Sequence, residues 1–309
     1  MGNHKALDPT FCALNIFHDS KLLNFMGRLM HVFIILSRKL QKKMQINLTR
    51  FQKPTWLLLL ILAIGCSTHT EDKIQENPFA HIQDKKAAEV LEKAFNTAGG
   101  LEDYRNMKTI SYEKRSVLFL EDGSTESDLT QQHSYTLQPE LIGDIIWKSD
   151  GNSYRIHYSA QDTYKEENGV RIPDSEESAR KSFFSATYVL LIPFKLLDPG
   201  AKLTYEGRDT LDRGKIADVI RAEYDADKHD NHSTSEVWWY YFDAKDGAHL
   251  SSLVFHPPTY AYIENDAITD EHDIRFNIYR KTFRTDASRN KEYLRGEFYY
   301  YNYVINAGQ

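Results

Sequence analysis

Residues 236–255 read EVWWYYFDAKDGAHLSSLVF. Successive side chains of an extended strand point to opposite faces, so residues 236–243 carry Trp238, Tyr240 and Phe242 on one side and Val237, Trp239 and Tyr241 on the other. Asp246-Gly247 follows, a pair that supplies the positive φ of a tight hairpin, and residues 250–255 are again rich in strand formers. The stretch reads as strand, turn, strand. A strand with one wet face alternates apolar with polar residues. Here both faces are aromatic, so each is expected to meet something apolar or amphipathic.

The same punctuation recurs through the chain. Asp122-Gly123, Asp150-Gly151, Asn168-Gly169 and Arg213-Gly214 each separate runs rich in Ile, Tyr, Phe, Val and Thr. This predicts an antiparallel meander with strands over 109–120, 124–136, 144–149, 153–159, 202–210, 217–224, 236–243, 250–255, 274–283 and 296–305. The last of these, with FYYYNYVI at 298–305, repeats the two-sided aromatic pattern.

Two helices interrupt the β-rich plan. Residues 84–98, DKKAAEVLEKAFNTA, bring Ala87, Val90, Leu91, Ala94, Phe95 and Ala98 to one helical face, and Gly99-Gly100 ends the pattern. In the second, Asp174 and Glu177 are spaced as a reciprocal N-terminal cap, Phe183, Phe184, Tyr188, Leu191 and Ile192 form an apolar side, and Pro193 stops the helix. The expected fold class is α+β: a strongly curved antiparallel sheet, an unclosed β-barrel, with two helices on its concave face.

Before this domain lies WLLLLILAIGC, residues 56–66. Its apolar run is too short for a bilayer, which takes about 17–25 residues. Arg50 and Lys53 precede it, and Gly65 and Cys66 close it, the order of a secretory signal peptide. Ala63-Ile64-Gly65-Cys66 resembles a lipobox, which implies cleavage before Cys66 and lipidation of that residue. A short core helix ending at a chance cysteine is the alternative. A start at Met44 would give the leader an ordinary length, with residues 1–43 a misassigned extension. In keeping with this, every Tyr of the chain follows Cys66. The competing reading makes residues 25–36 part of a membrane-associated segment.

The expected organisation is thus an extension over 1–43, a leader over 44–65, a polar tether over 66–83 and one domain over 84–309. Residues 1–65 carry nine Lys/Arg and two Asp/Glu, leaving 29 basic and 42 acidic residues beyond them, a net of −13 against −6 for the whole chain. So acidic a domain argues against nucleic acid as a partner. Cys12 would go with the leader and Cys66 would be a thioether, so stability must come from the core rather than from disulfides.

Three segments, AFNTAGGLEDYRNMKTISYE (94–113), PFKLLDPG (193–200) and WWYYFD (238–243), resemble a family of uncharacterised Gram-negative periplasmic lipoproteins, itself similar to the LolA/LolB-type lipoprotein-carrier fold. The resemblance covers residues 87–305. It implies a curved sheet whose concave face, plugged by helices, surrounds an apolar cavity for acyl chains. The inward-facing lining would be Trp238, Tyr240 and Phe242, opposite Phe184, Tyr188, Leu191 and Phe194. Ordinary core packing is the other reading of the same residues. Charged insertions at 225–233 and 285–291 fall outside the family pattern.

Catalytic signatures are thin. G-x-S-x-G, H-E-x-x-H, G-x-x-x-x-G-K-[ST] and G-x-G-x-x-G are all absent from the sequence. His229, Asp230 and His232 could reach one metal ion, but their run has the composition of a solvated loop. His256, before Pro257-Pro258, reads as a strand-end residue, and the charged run 264–273 as a solvated face. The expectation is a monomeric, lipid-anchored envelope protein, on the outer membrane facing the periplasm. It needs no cofactor, is not an enzyme, and binds or accepts an acyl chain or lipoprotein. A structural or interaction module with a filled core, and an unrecognised envelope hydrolase, are the alternatives.

Overall fold

A computed structural model describes residues 77–225, 236–269 and 272–306. The lipidation candidate Cys66, the leader, and the metal candidates His229, Asp230 and His232 lie outside the described residues. The elements in chain order are helices α1 (Lys85–Thr97) and α2 (Leu101–Asn106), then strands β1 (Thr109–Phe119), β2 (Thr125–Thr136), β3 (Ile142–Ser149), β4 (Asn152–Tyr158), β5 (Thr163–Glu167) and β6 (Val170–Arg171). Helix α3 (Glu176–Leu190) and a single 3-10 turn (Phe194–Leu197) follow. The chain then runs through β7 (Ala201–Thr210), β8 (Ile216–Tyr224), β9 (Val237–Asp243), β10 (His249–His256), β11 (Thr259–Ile268), β12 (Asn277–Thr285) and β13 (Lys291–Ile305).

All 13 strands join one antiparallel sheet in the order β6-β5-β4-β3-β2-β1-β13-β12-β11-β10-β9-β8-β7. Only one junction, β1 against β13, is not a sequential hairpin or near neighbour, so the sheet is two meanders joined where the last strand returns to the first. Its ends, β6 and β7, do not pair, so the barrel is unclosed as expected.

The turn residues behave as their chemistry dictates. Asp150-Gly151 and Asn168-Gly169 hold positive φ at both positions (50° and 81°, 51° and 78°), the geometry that matches a hairpin's twist. In β9 the alternation is realised: Trp238, Tyr240 and Phe242 enter the main core with the helices, while Tyr241 is buried on the opposite face with Val219, Leu253 and Tyr262.

Helix α1 is capped by Asp84, whose Oδ1 accepts from the amides of Lys86 and Ala87 at 2.9 and 3.1 Å. Its other oxygen, Oδ2, accepts from the Tyr205 amide of β7 at 2.9 Å, so one carboxylate both caps the helix and ties it to the sheet. These backbone bonds hold Asp84 below the ordinary carboxylate value. Gly99 then ends the helix at φ 120°, where an added Cβ would stand 2.2 Å from the Asp273 carbonyl oxygen. Phe79, within the stretch read as tether, is buried and meets Phe95 edge-on at 5.2 Å.

Three sequence readings are corrected. Helix α3 is not capped by Asp174, which sits at φ 54°; Ser175 is the N-cap residue, and its hydroxyl instead donates to Ile172 and accepts from the Lys165 amide of β5. The start of the charged run 264–273, read only as a solvated face, belongs to a strand that was not anticipated: β11 continues to Ile268, and Glu264 pairs with Lys291 of β13. Strands β5 and β6 were not anticipated, since their TYKEE and VR lack an apolar alternation.

Candidate functional site

The expected lining residues do come together. Trp238, Tyr240, Phe242, Phe184, Tyr188, Leu191 and Phe194 all belong to one buried cluster, none more than 8% exposed. Helix α3 delivers Phe184 and Tyr188, and the turn forced by Pro193 folds Leu191 and Phe194 back under it. Trp238 stacks on Tyr240 at 5.7 Å, and Phe194 stacks on Tyr104 at 4.3 Å. The hydroxyls of Tyr188, Tyr224 and Tyr240 are joined in a ring of hydrogen bonds, with Tyr240 2.7 Å from Tyr188 and 2.9 Å from Tyr224. Burial lifts all three phenols above their ordinary value, which keeps them neutral.

This end of the inner face is therefore packed. Four cavities bounded by described residues lie elsewhere, and none touches the seven expected lining side chains. One of them, about 410 Å³, is on the face away from the helices, between Trp239, Tyr241, Tyr260, Arg208 and Arg289. The insertion 285–291 forms part of its wall: it is the β12–β13 turn, and it carries Arg289 to Asp209 and to 4.9 Å from the Tyr241 ring centre.

The inner face of the central strands is more open. Helix α3 packs on β4 and β5, and α1 on β7 and β8, at the two flanks of the sheet. Between them, register places Leu118 of β1, Leu129 of β2, Trp147 of β3, Ile263 of β11 and Phe298 of β13 on the inner side, all half-buried. Gly296 keeps this wall recessed, since a Cβ there would meet Leu118 and Phe298 at 2.9 and 3.2 Å.

Basic groups line the same wall. Lys114 of β1 lies 5.1 Å from the Phe298 ring centre, and Arg280 of β12 lies 5.3 Å from it and 5.2 Å from that of Tyr300. His133 of β2 stacks on Tyr112 at 4.6 Å and meets the Tyr135 hydroxyl through Nδ1 at 2.6 Å. His249 of β10 is held by Ser252 and Asn265. Burial, reinforced by Arg280, pushes the Lys114 ammonium down to about 7. It likewise holds both imidazoles neutral, His133 well below its ordinary value and His249 at about 3.

Sequence reasoning passed over these four. One signal was present: the alternation Ile110, Tyr112, Lys114, Ser116, Leu118 puts a lysine on an otherwise largely apolar strand face.

Three solved structures align with most of this chain at low identity. A DUF1329 family protein from Desulfovibrio piger aligns at TM-score 0.48 and 9% identity, covering 72% of this chain and 94% of that one. A proposed outer-membrane lipoprotein-sorting protein domain from Vibrio parahaemolyticus gives 0.48 and 9%, covering 73% and 94%. A LolA superfamily protein from Nitrosomonas europaea gives 0.46 and 7%, covering 71% and 93%. The likeness is one of fold. No family model matches the chain, and no curated protein does.

Among the described residues no group of three His, Cys, Asp or Glu is placed to hold a metal ion, and no helix is long and apolar enough to cross a membrane.

Proposed function

We propose that this is a lipid-anchored envelope protein that binds an amphipathic ligand, an acyl chain or the lipid part of a lipoprotein, on the inner face of its curved sheet, without catalysing a reaction. The observation that carries the reading is the half-buried wall of Leu118, Leu129, Trp147, Ile263 and Phe298, which lies between the strands that α1 and α3 pack upon. Apolar surface recessed between flanking helices gains free energy when a chain covers it, at about 25 cal/mol per Å² removed from water. The seven residues first read as lining then serve as the packed end against which such a chain would stop. The lipobox-like run ending at Cys66 supports an envelope location. A thioether-linked acyl anchor there would make a membrane-bound acceptor a better fit than a diffusing shuttle, because stable attachment needs more than one chain.

The experiment is native mass spectrometry of the protein purified from cells, followed by lipid extraction and by titration with a fluorescent fatty acid. Co-purified lipid and saturable uptake are expected. A protein that carries no lipid and takes up no fatty acid is not a ligand binder.

One observation favours a second reading. The outer cleft joins Trp239, Tyr241 and Tyr260 to Arg208 and Arg289, and Trp, Tyr and Arg are the residue types that anchor protein interfaces. A docking module would lose its partner, and keep its lipid, when Trp239 and Tyr260 are replaced by Ala.

A further inference from the structure

We propose that the inner wall holds an oxyanion, carboxylate or phosphate, between Lys114 and Arg280, so that the ligand is an anionic amphipath with its charged end fixed at the Phe298 ring. This rests on the ligand-binding reading above and names the class of ligand.

The argument begins with charge. Beyond residue 65 the chain has a net charge of −13, yet the groups gathered across β2, β1, β12 and β10 on this wall are all basic: His133, Lys114, Arg280 and His249. Among the described residues no carboxylate bonds to or pairs with any of them. The neighbours of Lys114 are the phenols of Tyr112 and Tyr300, the Phe298 ring, Gln131 and His133 of β2, and Arg280. Two cations placed together in a wall of aromatic rings, in a domain with carboxylates to spare, lack the partner that buried charge requires.

Unmet hydrogen-bond donors point the same way. Arg280 is 7% exposed, and its Nε finds no acceptor. His133 is 2% exposed; its Nδ1 meets the Tyr112 and Tyr135 hydroxyls, and its Nε2 finds no partner. Buried donors without acceptors are rare in folded proteins and call for an occupant. The ring faces of Phe298 and Tyr300 offset part of the desolvation of Arg280, and the Tyr300 hydroxyl accepts from the guanidinium, but neither supplies Nε with an acceptor. An oxyanion would do so, and the apolar wall of Leu118, Leu129 and Trp147 would take the chain attached to it.

Protonation makes the site pH-sensitive. Lys114 sits at about 7 when the site is empty, so a bound anion must pull a proton onto it at neutral pH and above. The two histidines, held neutral, contribute no charge in this range.

The test titrates the full-length protein with dansyl-labelled undecanoic acid and with its methyl ester, between pH 6 and pH 9, with inorganic phosphate as competitor. The acid is expected to bind at least about tenfold tighter than the ester at pH 6. This preference should fall by up to about tenfold per pH unit from pH 7 upward as Lys114 loses its proton. Lys114→Met should lose the preference, and Lys114→Arg should keep it with a flat pH profile. Displacement of the acid by phosphate assigns the site to free oxyanions as well; failure to displace assigns it to chain-bearing anions, and either result supports an anion site. Equal binding of acid and ester at every pH overturns this proposal and leaves the ligand-binding reading standing. Binding of neither overturns both. The wild-type acid-to-ester ratio and its pH profile decide the matter even if a Lys114 variant fails to fold.

Discussion

Truncating Phe242 separates a packed wall from a ligand-lined one. Its side chain is fully buried, 5.4 Å from the His249 ring, within the same cluster as Tyr240 and Trp238. If the ring is enclosed by protein, Phe242→Ala removes its transfer free energy and leaves a cavity, together about 3–5 kcal/mol. For a domain of this size each kcal/mol shifts Tm by about 2–4 °C, so Tm should fall by roughly 6–20 °C. The half-buried Phe298 is the control. It borders the open wall, so Phe298→Ala should cost about 1 kcal/mol or a little more while weakening fatty-acid uptake. Urea unfolding followed by circular dichroism gives both stabilities, and equal m-values certify that the same surface is exposed. A loss under about 1 kcal/mol for Phe242→Ala would mean that the ring faces a void, and the packed-end assignment would be wrong.

Two further outcomes follow from proton linkage and capping. His133 and His249 are neutral in the fold but take a proton at about pH 6.5 once unfolded, so their contribution is complete above that pH and is lost as pH falls below it. Stability measured by urea titration should therefore drop between pH 6.5 and 5 with a slope approaching two protons, about 2.7 kcal/mol per pH unit. His249→Gln should halve that slope, and an unchanged slope would refute the buried, neutral state of His249. Asp84→Ala removes the acceptor for three backbone amides and should cost about 1–2 kcal/mol. Because its carboxyl is held below the ordinary carboxylate value by the amides it accepts from, that difference should be full above about pH 5 and shrink as pH falls through the folded value; a deficit that persists in acid would contradict the capping role.

The legible parts of the fold were those set by local chemistry. Asp150-Gly151 and Asn168-Gly169 take positive φ wherever they stand, and they turned the chain where expected. Strands whose alternation carries aromatics, such as β9 and β13, were readable, whereas β5 and β11 were not. Charged and polar residues break the apolar pattern in KEE of β5 and END of β11, and only pairing with a neighbour shows that the backbone is extended. Asp174 illustrates the opposite failure: its spacing to Glu177 suits a cap, but the backbone there turns left-handed and Ser175 begins the helix with its hydroxyl committed to β5.

The site divides in the same way. Amino-acid pattern alone determined that Trp238, Tyr240 and Phe242 share a face and that Phe184 and Tyr188 share a helix side, because both periods are fixed by backbone geometry. It also determined the acidic balance of the chain and the leader-like run up to Cys66. Tertiary structure decided that those aromatics fill the core, that the inner wall stays open near Phe298, and that Lys114 and Arg280 meet there. Those two residues are 166 positions apart in the chain. The β12–β13 hairpin reaches β1 only when the last strand pairs with the first, and the shortage of carboxylates around them is a property of that pairing, which no local pattern encodes.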